Sequence, residues 1–407
     1  MYSTFAWRYF RAKKSANAIN IIAWVTTGVI AFATCCQILV LSVFNGFEDL
    51  VKSLYSSFYT DLKIIPAFGK TFIATPNMLA KAAKQTGVKA ISMIAEDKAI
   101  LQNGEFQTFV NIKGVDSNYI KVSGVPQKLI SGRFNVGSVD APGLVAGAGI
   151  QNAANISMNN TFSNEYLTIT LPKKNSEGSA DPLSFLSEGN ITANGVFAIQ
   201  QDFDNNYAIT NIDFVKRQMG FGINEFSAAE LQVDDKADVA ETKTALQLVF
   251  GRAFIVQTRF EQNSNLYNTM RVEKWAIYAV LTLILIIAAF NMVSALTMLV
   301  LEKQKDISIL QSMGAGRHVI LKIFLSEGLL LGMLGACAGI SLAAAICLLQ
   351  IKFQFIKLMG GSFLINYFPV KLVAADFLLV ATTAIAITII ASLLPAYKAS
   401  QQITGLK

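Results

Sequence analysis

Residues 275–301 read WAIYAVLTLILIIAAFNMVSALTMLVL, with no charged side chain between Lys274 and Glu302. A helix needs about 20 predominantly apolar residues to cross the hydrocarbon core of a bilayer, and this run exceeds that. Reading outward with its flank, the span is 273–301. Three further runs qualify, at 20–45, 323–350 and 372–395. Between the first and second runs lies a polar stretch, 46–272, of different texture. The sequence therefore predicts an α-helical membrane protein with four transmembrane helices. One large mixed α/β domain is inserted between helices 1 and 2. The remaining pieces are an N-terminal segment (1–19), a loop at 302–322, a loop at 351–371 and a tail at 396–407.

Composition agrees with the segment reading. Of the 407 residues, 53% are hydrophobic and 15% charged, whereas soluble domains carry about 25% charged residues. Orientation follows from the bases in short flanks. Arg8, Arg11, Lys13 and Lys14 precede the first run. Lys303, Lys305, Arg317 and Lys322 lie between the second and third, and Lys398 and Lys407 follow the fourth. Only Glu302 and Asp306 oppose them, so the whole net charge of +7 sits on one side. That side is expected to be the cytoplasm, with both termini in and the 46–272 domain out. Lys352, Lys357 and Lys371 dissent mildly. The excess of bases is thus topological and does not call for nucleic acid. The first run is too long for the core of a signal peptide, and no A-x-A site follows it.

Several chemistries are excluded. The cysteines, Cys35, Cys36, Cys337 and Cys347, all lie in apolar runs, so a disulfide framework in the outer domain is ruled out. Thr34 before Cys35 is a poor fit to a lipidation site. His318 is the single histidine, which leaves the outer domain without a zinc site or a histidine-based triad. Gly69-Lys70-Thr71 resembles the tail of a phosphate-binding loop, but Ile64 stands where its first glycine is required. The chain is expected to be no enzyme and to bind no cofactor.

In the 46–272 domain, Glu165 to Leu171 and Phe106 to Ile112 alternate like half-buried strands. Pro76 to Gln85 reads as a helix with Thr75 as its N-cap, and Ala237 to Phe250 as another. Residues 172–190 read as a long exposed loop or hairpin excursion. Phe47, Leu50, Val51, Leu54, Tyr55 and Phe58 continue a helical stripe beyond the first run until Pro66 ends the pattern. That stripe either docks against the outer domain or offers an apolar surface of its own.

Glu302 to Ala315 is charged for one turn and then sets Ile307, Leu310 and Met313 on one side, with Ile309 nearby; Gly314 and Gly316 punctuate its end. This is a short amphipathic helix at the inner surface, serving as an interfacial turn or filling a groove on a cytoplasmic partner. In the third run Gly328, Gly332, Gly335 and Gly339 form pairs four apart, the spacing of close helix packing. Asn291 is expected to act as interhelical glue. Glu327 is expected to snorkel or to pair with Lys322.

Glu302 to Ala315, followed by Ile323-Phe324-Leu325-Ser326-Glu327-Gly328, resembles the signature of the FtsX-like ABC permeases. Val272-Glu273-Lys274-Trp275, Ala288 to Ser294, Leu41 to Glu48 and Trp7-Arg8-Tyr9-Phe10-Arg11 narrow the resemblance to the lipoprotein-releasing, LolC/LolE type. It runs nearly end to end and is weakest at 172–190. The resemblance implies a MacB-like core for 46–272, placed in the periplasm, and residence in the bacterial inner membrane. Implied partners are a cytoplasmic ABC ATPase dimer that uses the ATP, a second copy or paralogue of the permease, acylated lipoproteins and a periplasmic lipoprotein chaperone. The implied ATPase-coupling residues are Glu302, Lys303, Asp306, Ile307, Leu310, Met313 and Gly314. The implied lipoprotein acyl path comprises Val40, Val43, Phe44, Phe47, Val51, Tyr278, Leu281 and Leu285, each of which has bundle packing or lipid contact as its ordinary explanation. Residues 173–188 occupy the place of a chaperone-binding hairpin but lack a proline-rich tip. A mechanotransmission permease of the FtsX or MacB kind, serving efflux or cell-envelope hydrolases, is the alternative. Against it stand the missing fused ATPase domain and the large outer domain.

Overall fold

The computed structural model describes residues 17–158, 166–174, 185–358 and 367–401. Arg8, Arg11, Lys13, Lys14, Lys407, the 7–11 motif and most of the 173–188 segment lie outside them. The chain divides into two compact units, Met1–Leu50 with Asn268–Lys407, and Val51–Tyr267.

The first unit is a helix bundle. Its long helices are α1 (Asn17–Phe58), whose last two turns belong to the second unit, α5 (Ser264–Glu302), α7 (Arg317–Phe353) and α8 (Ala374–Ser400). All four are long and apolar enough to cross a membrane. The short α6 (Gln304–Ser312) joins α5 to α7. The glycine pairs of α7 serve two different partners. A Cβ on Gly332 would lie 2.1 Å from the Thr388 side chain of α8, and one on Gly339 would lie 2.3 Å from the Ala31 carbonyl oxygen of α1. Backbones approach this closely only where both surfaces are small. Pro395 lies inside α8, which runs on to Ser400.

The second unit is mixed α/β, with helices α2 (Pro76–Ala83), α3 (Ile212–Met219) and α4 (Val239–Phe250). Thr75 caps α2 by accepting from the Met78 N–H at 3.3 Å. Asn211 caps α3 by accepting from the N–H groups of Asp213 and Phe214, and Gly220 ends it at φ 70°. Asp238 caps α4. The strands are β1 (Leu62–Pro66), β2 (Phe72–Ile73), β3 (Val88–Asn103), β4 (Phe106–Val115), β5 (Leu129–Gly132), β6 (Gly143–Gly147), β7 (Tyr166–Pro172), β8 (Leu186–Phe197), β9 (Tyr207–Asn211), β10 (Glu225–Phe226), β11 (Ala228–Val233) and β12 (Phe254–Thr258). Ten form one sheet, in the order β12-β1-β11-β3-β4-β9-β6-β8-β5, with β7 pairing β3 and β8. Helix α1 stops at Phe58, and Pro66 instead closes β1 at its pairing with Phe254.

The stripe on the end of α1 packs inside this second unit. Tyr55 and Phe58 are buried with Ile94, Val115, Phe197 and Phe203, and the Phe58 and Phe203 rings stack at 4.4 Å. Docking is the role of these two positions. β7 and β8 pair antiparallel with Pro172 opposite Leu186, so residues 186–188 of the expected excursion belong to β8.

Candidate functional site

Two places stand out in the helix bundle, one made of residues singled out by sequence and one that sequence did not single out. The first is α6. It ends where Gly314 adopts φ 91°, a left-handed value that L side chains rarely take, while the Ala315 N–H turns back to the Leu310 carbonyl at 2.9 Å. The helix has two unlike apolar edges. Ile307 is 2% exposed and packs with Leu299, Val300, Ile320, Phe324, Ala396 and Ala399. Leu310 is half-buried and lines a small cavity with Lys303, Asp306, Ile323, Phe324 and Glu327. Ile309 and Met313 point away, 59% and 80% exposed. Lys303 lies 3.3 Å from Asp306, one helical turn on, and Glu302 is exposed. Of the expected coupling residues, Ile307 and Leu310 thus anchor the helix to its own bundle, and Met313 is offered outward together with Ile309. Glu327 neither snorkels nor pairs with Lys322. It is buried beneath α6, facing the cavity.

The second place is where α1, α5 and α8 meet. Lys274 donates to Asp376 Oδ2 at 3.0 Å and to Asn45 Oδ1 at 2.8 Å, while Asn45 Nδ2 donates to the same Asp376 oxygen at 2.6 Å. Asn45 is buried, Asp376 nearly so along its side chain, and Lys274 partly. Three helices are thereby fastened by one triangle of polar groups. Deeper along the same helices Gln37 Nε2 donates to Thr282 Oγ1 at 3.1 Å. Sequence reasoning missed both sets. A usable signal existed: Asp376 is the one acid in the 372–395 run and needed a partner.

The acyl-path residues lie on two adjoining helices of this unit, except Val51, which packs against the α/β core. Val40 is exposed, and Val43, Phe44, Phe47 and Leu281 are half-exposed. Phe47 meets Phe368 edge-on at 5.7 Å. Tyr278 bonds through its hydroxyl to Thr383 on α8. Leu285 is 2% exposed and packs inward against Ala33, Ala288, Ala336 and Ala384. Val40 and Phe44 therefore present apolar surface, and Leu285 does not. Asn291 is exposed on α5 and has no hydrogen-bond partner among the described residues, so it glues none of the described helices.

Residues 278–402, from within α5 to the end of the bundle, match the FtsX-like permease C-terminal family. The lipoprotein-releasing system transmembrane protein LolE of Haemophilus influenzae is 25% identical over 409 residues, 97% of this chain and 96% of that protein. LolC of Neisseria meningitidis is 26% identical over 419 residues, 98% of each. The periplasmic region of MacB from Actinobacillus actinomycetemcomitans aligns with 54% of this chain and 98% of that one, at 13% identity and a TM-score of 0.37. Within the bundle, residues 278–402 carry the likeness to the FtsX-like permeases. The similarity to the lipoprotein-releasing transmembrane proteins LolE and LolC runs nearly end to end, and four of the described helices are long and apolar enough to cross a membrane.

Proposed function

We propose that this chain is the permease subunit that extracts acylated lipoproteins from the inner membrane and passes them to a periplasmic chaperone, driven by a separate ATPase dimer. The observation that carries this reading is the near full-length similarity to lipoprotein-releasing transmembrane proteins. Both termini and α6 are assigned to the cytoplasm, which the one-sided charge supports. A second copy or paralogue completes the permease pair. Depleting the protein tests the reading: outer-membrane lipoproteins should accumulate in the inner membrane. Normal sorting would instead favour an efflux or hydrolase-regulating branch of the same superfamily.

The ATPase docks on the outward edge of α6. Charging Ile309 and Met313 (I309D with M313D) should abolish co-purification of the ATPase while leaving the bundle's thermal midpoint in place. Ile307→Ala should do the reverse, lowering stability by about 2–5 kcal/mol, the usual cost of emptying a packed isoleucine site. Undiminished ATPase capture by the charged variant would refute this docking surface.

Moving a lipid anchor through water is prohibitive. Each buried CH₂ is worth about 0.8 kcal/mol, so one chain of about 15 carbons costs on the order of 12 kcal/mol to expose. The chains must stay on apolar surface throughout. Val40, Val43, Phe44 and Phe47 supply it along α1. The path does not extend to Tyr55 and Phe58, which are occupied in the α/β core. Phe44→Asp places a charge on it. At roughly 2.5–3.5 kcal/mol for a carboxylate in the membrane, release should slow on the order of a hundredfold while ATP hydrolysis persists. Wild-type release from this variant would remove Phe44 from the path.

A further inference from the structure

Strand β3 is paired unequally along its length. From Ile94 to Asn103 it runs against β4, but β4 ends at Val115, opposite Ile94. There the chain leaves the sheet at Asp116 for a short helical turn, Tyr119–Val122. Over residues 88–93 β3 keeps β11 on one side, and among the described residues no strand lies on the other.

The side left open is the one that Asp116 caps. Its carboxylate accepts from the Met93 N–H at 3.0 Å, the Ser92 hydroxyl at 2.7 Å and the Asn118 N–H at 3.0 Å. In an antiparallel ladder, residues alternate between facing one neighbour and the other. Since the Met93 N–H faces away from β11, the N–H and C=O of Ile91 do so too. Neither has a hydrogen-bond partner among the described residues.

A cavity of about 390 Å³ runs along this edge. It touches residues 88, 89, 90 and 91 in succession. Side chains of a strand alternate between faces, so a cavity meeting consecutive residues follows the edge of the sheet. Leu79 and Ala83 of α2 give it an apolar lining, and Lys89 and Lys121 line it as well. Both lysines are exposed, and neither has a carboxylate partner among the described residues. The one acid of the groove, Asp116, is engaged by its three donors.

We propose that this groove takes an extended acidic polypeptide segment, added as a strand alongside residues 88–93. Strand addition draws its affinity from main-chain hydrogen bonds and its selectivity from the flanking side chains. Here Ile91 supplies the donor and acceptor, Leu79 and Ala83 the apolar contact, and Lys89 and Lys121 the preference for acidic side chains. The inference is independent of what the helix bundle transports.

The test uses the full-length protein in detergent micelles and a capped, fluorescent octapeptide alternating valine and glutamate. The peptide should raise fluorescence anisotropy on binding and slow amide exchange at Ile91. Ile91→Pro removes a donor that no ladder uses, a position where a strand tolerates proline. It should abolish binding, while Ile91→Val, which keeps the amide and most of the packing against the core, should bind as the wild type does. A Lys89→Glu, Lys121→Glu variant should weaken the acidic peptide by roughly tenfold or more and come to prefer a valine–lysine peptide. Three results would overturn the proposal: no slowing of exchange at Ile91, binding indifferent to both Ile91→Pro and the lysine variant, or equal binding of the two peptides by the wild type. In those cases the lysines only guard an exposed edge.

Discussion

Glu230→Ala will lower the stability of the α/β unit by about 3–5 kcal/mol, the cost of leaving a buried charge without its partner. The stranded charge is Lys113. It is 2% exposed and lies 2.7 Å from Glu230, beneath the Phe58 ring at 4.8 Å and the Tyr119 ring at 5.1 Å. The pair belongs to a set of four. Lys63 lies 2.6 Å from Glu96 and 3.9 Å from Glu230. The sheet places them there: Lys63 of β1 is opposite Glu230 of β11, and Glu96 of β3 is opposite Lys113 of β4. Removing Glu230 leaves Lys113 against two aromatic faces, which relieve only part of its lost solvation. Adding Lys113→Met removes the stranded charge and should restore much of the loss. Denaturation of the single and double variants checks this, and an E230A protein as stable as wild type would refute it.

The same cluster predicts an acid limb. Burial alone would raise the Glu96 carboxyl, but Lys63 and Lys113 outweigh it and hold the group below the usual carboxylate range. Burial would favour the neutral amine of Lys113, yet Glu230 outweighs it and holds the ammonium above the usual lysine range. A lowered carboxyl stabilises the fold above its unfolded pKa and ceases to do so as pH falls through the folded value. A raised ammonium loses its contribution only as pH rises through its folded value, beyond the ordinary lysine range. Within the accessible range the acid side shows first. Stability should fall steeply below about pH 4, and less steeply in Glu96→Gln.

Asp376→Ala carries the second large effect, in the helix bundle. It takes the shared acceptor from Lys274 and from Asn45 at once. Lys274 retains 28% side-chain exposure, so the loss falls between the values for buried and surface pairs, at about 2–3 kcal/mol. The three helices joined there should separate more readily, seen as a lower thermal midpoint in micelles. Because Asn45 is adjacent to Phe44 along α1, lipoprotein release should slow in the same variant. Lys274→Ala in the Asp376→Ala background should cost less than Lys274→Ala alone, since the ion pair is already gone and only the bond to Asn45 Oδ1 is left to lose. Full additivity of the two substitutions would mean that the triangle holds nothing.

The four apolar runs, the α/β insertion and several element starts were legible because each is a local property. Run length decides whether a helix can span a bilayer. Thr75 before Pro76 specifies the start of α2 by the chemistry of two neighbouring residues. The alternation over 166–171 became part of β7, and the charged, glycine-ended 302–315 segment holds α6. A helical wheel of α6, however, shows apolar residues on two edges and cannot say which one meets the bundle. Ile307 is buried and Ile309 is not because α5 and α7 deliver the helix at one rotation. Likewise, spacing alone predicted that the glycines of α7 would pack, but not that Gly332 meets α8 while Gly339 meets α1.

The polar groups were the least legible. Lys113 and Glu230 are the single charges of their strands, 117 positions apart. Nothing near either names the other, and strand register alone brings them together. Asn45, Lys274 and Asp376 are separated in the same way, as is the open edge of β3, which exists because β4 ends opposite Ile94. By itself the sequence determined how this chain partitions between lipid and water, since that depends on the side chains of one segment at a time. The tertiary structure alone decided which buried charges meet and which edges stay open, because those depend on elements distant in the chain arriving at one register.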